Sequence, residues 1–225
     1  GTAIIWTRTE TMHIEVLVED GSGARLIEAL LPAVIGEHGE PHTWRVHAYK
    51  GIGRLPAGLG AAGDPAKRAL LNLLPRLLNG YGRTPGIDVV VVVVDSDDRD
   101  CKAFLAELKA LHAACDHAPH TLFRLAIEEM EAWLFGDRQA IVAAYPRAKV
   151  AVLDGYTQDS VCGTWERLAD ALHKGGSAAL RRAGWPAPGE VKFEWVEAIS
   201  PHMDVERNLS PSFVKFRDGL RRLLA

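Results

Sequence analysis

Between His13 and Glu19 the chain reads HIEVLVE, with Ile14, Val16 and Val18 alternating with other residues before the turn-forming run Asp20-Gly21-Ser22-Gly23. A period of two predicts a strand, and the glycine-rich run ends it. Leu26, Ile27, Leu30, Leu31 and Val34 then recur at helical spacing, with Gly36 as a stop. A second strand is predicted over Trp44 to Tyr49, leading into Lys50-Gly51-Ile52-Gly53-Arg54. Pro65 introduces a helix bearing Leu70, Leu73, Leu74 and Leu77, in which Pro75 is expected to make a kink or end the first part. Ile87 to Val94 is nearly all β-branched, as expected of a central strand covered on both faces. It stops abruptly at Asp95-Ser96-Asp97-Asp98-Arg99-Asp100. Phe104, Leu105, Leu108 and Leu111 mark another helix, and Thr121 to Ala126 a fourth strand.

Strands alternating with helices predict an α/β layer fold with a mainly parallel, Rossmann-like four-stranded sheet flanked by helices. After Ile127 the pattern changes to short helices separated by Gly and Pro, among them Thr164 to His173. Ser210-Pro211 supplies a cap and a first-turn proline for a last helix with Phe213, Phe216, Leu220 and Leu223. The expected organisation is an α/β domain over residues 12–137 and a mostly helical elaboration over 138–225 packed on it. Residues 1–11 lack a pattern and are expected to be upstream or appended sequence.

Composition narrows the classes. With 26 Lys and Arg against 29 Asp and Glu, the net charge of −3 gives no global basic footprint. Its distribution is uneven: from His173 onward nine basic residues face six acidic ones. The three cysteines are scattered and never in a CxxC spacing, which excludes a disulfide framework or a zinc knuckle as an organising feature. The longest apolar run, Val89 to Val94, is far too short to cross a bilayer, so a cytoplasmic chain is the expectation. Neither glycine loop completes a phosphate-loop or dinucleotide signature, and HExxH is absent. Four of the six tryptophans, Trp133, Trp165, Trp185 and Trp195, sit in mixed surroundings where core packing is the expectation.

Reactive groups in open α/β sheets sit beyond the carboxyl ends of strands, and Glu19 and Asp95 both fall there. Asp95 and Asp97, two apart on a loop leaving an apolar strand, can turn toward one ion, and magnesium or manganese prefers such hard oxygen ligands. The same run also reads as a solvated turn carrying an N-cap. Glu128 and Glu131, three apart, would share a helical face and offer a second metal position, with Glu129 exposed. Their alternative role is an acidic first turn at a helix N-terminus. Lys50 and Arg54 could contact a phosphate, or belong to a simple connector.

The whole order of strand, Glu19 with a glycine loop, helix, strand, helix, strand, Asp95-x-Asp97, helix and strand resembles the Toprim domain. That domain is shared by topoisomerases, primases, RNA-processing nucleases and overcoming-lysogenization-defect nucleases. The stretches Ala126 to Leu134, Asp159 to Glu166 and Ser210 to Phe213 are similar to segments of a large bacterial Toprim-like family of unknown function. Many Toprim domains place Gly directly after the glutamate, whereas here Asp20 intervenes.

The resemblance implies that Glu19 is a general acid or base and a possible metal ligand, and that Asp95 and Asp97 are the metal-binding pair. It implies Mg2+ or Mn2+ as cofactor, DNA or RNA as substrate, and an ATPase partner in phage or mobile-element defence. The oligomeric state is left open. A rival reading is a non-catalytic binding or regulatory module for a partner protein. A phosphohydrolase of the haloacid-dehalogenase type is disfavoured, because its nucleophilic DxD follows the first strand, which here ends in Glu19.

Overall fold

The structure, a computed structural model, describes residues 10–49 and 70–225. Four strands, β1 (His13–Val18), β2 (Thr43–Ala48), β3 (Val89–Asp95) and β4 (His120–Ala126), form one sheet in the order β2-β1-β3-β4. Every pairing is parallel, with Val16 opposite both Val46 and Val91. The fold is thus α/β and Rossmann-like, as the strand-helix alternation predicted. β3 is buried at all seven positions, which explains its continuous β-branched composition.

Helices α1 (Gly21–Ile35), α2 (Leu70–Gly82) and α3 (Cys101–Ala113) make the crossovers. Side chains alternating along β3 divide the core in two. Val90, Val92 and Val94 meet Leu71, Leu74 and Leu78 of α2 and Phe104 and Leu108 of α3. Val89, Val91 and Val93 face the α1 side. The described part of α2 runs on through Pro75, which is buried, so the expected end of the helix there does not occur. The lost N–H bond is tolerated because the helix face carrying Leu71, Leu74, Pro75 and Leu78 is pinned to the sheet. The helix start expected at Pro65 lies outside the described residues.

Beyond β4 come α4 (Glu131–Phe135), α5 (Arg138–Ala144), α6 (Val150–Asp154), α7 (Thr164–Leu172), α8 (Gly176–Ala183), α9 (Ala187–Ile199), a 3-10 turn (Ser200–His202) and α10 (Pro211–Leu223). This elaboration shares one apolar core with the α1 face of the sheet, α9 and α10 both packing on α1 and α10 also on β4. Trp133, Phe213 and Phe216 form its aromatic centre, with Trp133 ring centroids 5.5 and 5.0 Å from the two phenylalanines. Ser210 caps α10 as expected, accepting from the Phe213 N–H.

Two acids, the buried Asp137 and the half-buried Asp159, tie the elaboration together internally. Asp137 caps α5 and receives Arg207 through both guanidinium branches, at 3.0 and 2.9 Å. Asp159 accepts from Ser210 Oγ at 2.6 Å and from the Ser212 N–H at 2.7 Å, so two of the segments singled out in the sequence meet. Among the described residues, no helix is long and apolar enough to cross a membrane.

Candidate acidic site at the carboxyl edge

β1 and β3 are neighbours, so the residues that follow them share one edge of the sheet. Glu19 leaves β1 and its Oε2 accepts the backbone N–H of Asp95 at 3.0 Å. Sequence positions 76 apart are thereby joined. Asp95 ends β3 and is buried, and its Oδ1 is enclosed without a hydrogen-bond partner. Asp20, the residue that departs from the Glu-Gly pattern, caps α1 through the Gly23 N–H at 2.8 Å. The glycines around it answer to close approach. A Cβ on Gly21 would lie 2.6 Å from the Phe193 ring, and one on Gly23 3.1 Å from Val18.

Asp97 lies exposed at the rim with φ 49°, a left-handed conformation that Asp tolerates better than most residues. Its N–H donates to the Glu128 carbonyl at 3.0 Å, while the Glu128 N–H donates to Ser96 Oγ at 2.8 Å. These bonds lace the loops after β3 and β4 together. The next helix, α3, is capped by Asp100, so the N-cap role suggested for the aspartate run falls on its last member.

Glu131 opens α4 and is buried beside the same edge. Facing it, Lys192 of α9 brings its Nζ to 3.5 Å from Glu131 and 3.8 Å from Glu129. Lys192 was not singled out from the sequence. A signal existed: it stands at position i of the stripe completed by Trp195, Val196 and Ile199 at i+3, i+4 and i+7, all buried. A lone lysine on a buried stripe requires an anion to receive it.

Electrostatics follow from this crowding. Burial, together with the charges of Glu19, Glu131 and Asp20, holds the Asp95 carboxyl well above the usual carboxylate range. Burial pushes Glu19 up to about 7, against the pull of its bond from Asp95, with Asp20 and Asp97 adding to the rise. Burial and Glu131 raise Glu129 to about 8. Glu129 is therefore not the exposed acid expected; it also accepts the Trp165 N–H at 3.1 Å. Burial opposes the charge on Lys192, but Glu131, Glu129, Asp95 and Asp20 outweigh it and hold the ammonium above its ordinary pKa.

Glu128 corrects the paired-face expectation. It precedes α4 with φ 59°, so it shares no helical face with Glu131. Its carboxylate is committed to the start of α7, accepting the N–H groups of Cys162, Gly163 and Thr164 and the Thr164 hydroxyl. Burial works against its charge, and those bonds more than compensate, leaving its pKa lowered. Glu128 thus anchors the start of α7. Glu128→Ala is expected to lower stability by about 2 kcal/mol, the cost of charge-assisted bonds, measured by urea denaturation. Unchanged stability would show that α7 holds its place without it. Lys50 and Arg54 lie outside the described residues.

Three expected residues therefore gather at one edge, Glu19 and Asp95 in direct contact and Asp97 at the rim, with Glu131 joining and Glu128 withdrawn. Among the described residues, no group of three or more His, Cys, Asp or Glu side chains is arranged so that it could hold a metal ion as it stands. The donor chemistry nevertheless fits a hard divalent cation, since Asp95 Oδ1 is a buried carboxyl oxygen without a partner.

Fold and edge together define the protein as a parallel α/β protein with a buried cluster of acids around one lysine. The chain belongs to the DUF4276 family, described as a domain of unknown function, which matches residues 18–221. Neither the curated proteins nor the solved structures give a match.

Proposed function

We infer that the protein is a Mg2+- or Mn2+-dependent enzyme that cleaves or transfers phosphodiester bonds in DNA or RNA, as its resemblance to Toprim domains suggests. The observation that carries this reading is the contact of Glu19 with the end of β3, beside the partnerless buried oxygen of Asp95. Carboxylates that repel one another in a buried site raise the energy of the fold unless a cation joins them. Asp95 and Glu19 would hold that cation, with Asp97 reaching from the rim. A divalent ion there would polarise the phosphate and lower the pKa of a water.

The chain's own groups have separate tasks in this reading. Glu19, held by the Asp95 N–H, faces the edge where a water would lose its proton. Lys192 carries a positive charge toward the same edge and would bind a phosphate oxygen. Asp20 caps α1, and Gly21 admits the Phe193 ring of α9 beside them. The resemblance also suggests an ATPase partner.

The test is incubation of purified protein with labelled single- and double-stranded DNA and RNA in Mg2+, Mn2+ or EDTA. Cleavage that requires the metal and disappears in Asp95→Ala and Glu19→Ala is the expected result. Cleavage persisting in both variants would overturn the assignment.

A second reading has one observation in its favour. Lys192 already supplies a cation to the acids, as in a cluster built for stability or for binding a partner rather than for chemistry. No cleavage of any polymer under any metal would favour it.

A further inference from the structure

A cleft of about 440 Å³ opens directly beside the acids, and shares Asp20 and Lys192 with them. Its walls are Trp165, Trp185, Phe193 and two prolines, Pro186 and Pro188. Core packing was the expectation for all four tryptophans singled out in the sequence. Trp133 and Trp195 meet it, whereas Trp185 is 79% exposed and Phe193 43%. Large aromatic surface left in water is costly unless something covers it.

The rings also lie close against two glycines of the cleft. A Cβ on Gly189 would stand 2.9 Å from the Trp185 ring, and one on Gly21 2.6 Å from the Phe193 ring. Gly21 and Gly189 line the cleft as well, and a side chain at either would collide with the ring beside it and crowd the space between the aromatics. Trp165 completes the wall with two cations near its ring, Lys192 Nζ at 5.7 Å and the Arg181 guanidinium at 6.0 Å from the centroid. Flat apolar walls with Lys192 at one end, beside Asp20 and Glu190, match a flat heterocycle whose attached phosphate reaches the lysine. The volume suits a small ring system and is too small for a folded partner.

We propose that this cleft seats an unpaired nucleobase of a nucleic-acid strand, on Trp185 and Phe193, while the adjoining phosphate lies toward Lys192. The substrate is then a single strand, an end or a distorted site, because a base within an intact duplex cannot leave its stack to enter the cleft without a cost. The position of the phosphate rests on the phosphodiesterase reading; occupancy of the cleft by a base does not.

The experiment is fluorescence anisotropy with short labelled strands in Ca2+, which supports binding and limits turnover. Single strands of DNA and of RNA are compared with abasic strands of equal length and with duplex. Base-bearing strands are expected to bind about tenfold more tightly than abasic ones, with duplex no better than abasic. Trp185→Ala and Phe193→Ala should each remove most of that difference. Trp185 is exposed, so its variant is expected to keep the parental melting temperature.

Equal affinity for base-bearing and abasic strands would overturn the proposal, as would a difference that survives both variants or no binding to any strand. Concentration-dependent dimerisation lost in Trp185→Ala would assign the cleft to a second copy of the chain instead. Base-dependent binding without metal-dependent cleavage would sink the phosphodiesterase reading and leave the nucleobase seat standing. Cleavage indifferent to an abasic target would do the reverse.

Discussion

Asp95→Asn is expected to abolish metal-dependent cleavage while raising the melting temperature of the metal-free protein. The two effects have one origin. Asp95 is buried among Glu19, Glu131 and Asp20, and its Oδ1 has no partner, so its ionised form is disfavoured in the fold. A carboxyl whose pKa is raised on folding contributes most at low pH, and that contribution is lost as pH rises through the unfolded value toward the folded one. Asparagine keeps the size and removes the charge, so the gain in stability should be absent near pH 4 and grow to a few degrees by pH 8. Activity should fall at least about a thousandfold, because the neutral amide oxygen of asparagine is a far weaker ligand for a divalent cation than a carboxylate. Thermal scans across pH, with and without Mn2+, and cleavage assays check both halves. Mn2+ should raise the melting temperature of the parent more than that of the variant. A variant that is less stable than the parent at pH 8 would mean that the acid is well accommodated without an ion.

Lys192→Met should have the opposite sign and an effect of about 3 kcal/mol at pH 8, the order seen when one partner of a buried ion pair is removed. Methionine keeps the apolar stem packed on the stripe with Trp195 and Val196, so the loss reports charge rather than volume. The lysine pKa is raised in the fold, so its stabilising contribution is fully present throughout the neutral range and is lost only at strongly alkaline pH. Without it, Glu129 and Glu19, already at about 8 and about 7, rise further. Protonation then relieves the repulsion in acid, and the defect should shrink toward pH 5. Urea denaturation at pH 5 and pH 8 measures the difference. Equal losses at the two pH values would show that Lys192 acts by packing alone.

The two variants bracket the acidic edge from both sides: one removes a surplus negative charge, the other the positive charge that opposes it. In the phosphodiesterase reading both should reduce cleavage. In the binding-module reading only their stability effects remain.

Much of the fold was legible because it depends on neighbours in sequence. The alternation of Ile14, Val16 and Val18, the β-branched run through Val94 and the spacing of Leu26 to Val34 each encode which faces are buried. Turn residues at Asp20-Gly21 and after Asp95 mark where strands end, and in a parallel sheet those ends lie on one edge. The meeting of Glu19 with the end of β3 follows from that rule once β1 and β3 are neighbours. Of the kink or end expected at Pro75, the end does not occur, since a proline is tolerated where the surrounding helix face is buried firmly enough, and burial of that kind is a tertiary property.

Glu128 and Glu131 show where local spacing misleads. Three residues apart, they would share a face in a helix, but a left-handed backbone at Glu128 turns the first toward α7 and leaves the second at the acids. Trp185 and Trp195 lie in similar local surroundings, yet one is 79% exposed and the other 2%. Trp195 stands on the buried stripe of α9, whereas Trp185 lies in the turn before it, where no periodicity assigns a side to be covered.

Sequence alone, then, determined the strands and their order along the chain, the helices between them, and the acids at the carboxyl ends, because periodicity and turn chemistry act over a few residues. Tertiary structure alone decided that Lys192, 61 residues beyond Glu131, would be the counter-charge of those acids. It also decided that Glu128 would be spent on a helix start and that Trp185 would face a cleft. The physical reason is common to all three: a local pattern reports that a side chain is buried or charged, and only the packing of distant elements supplies its partner.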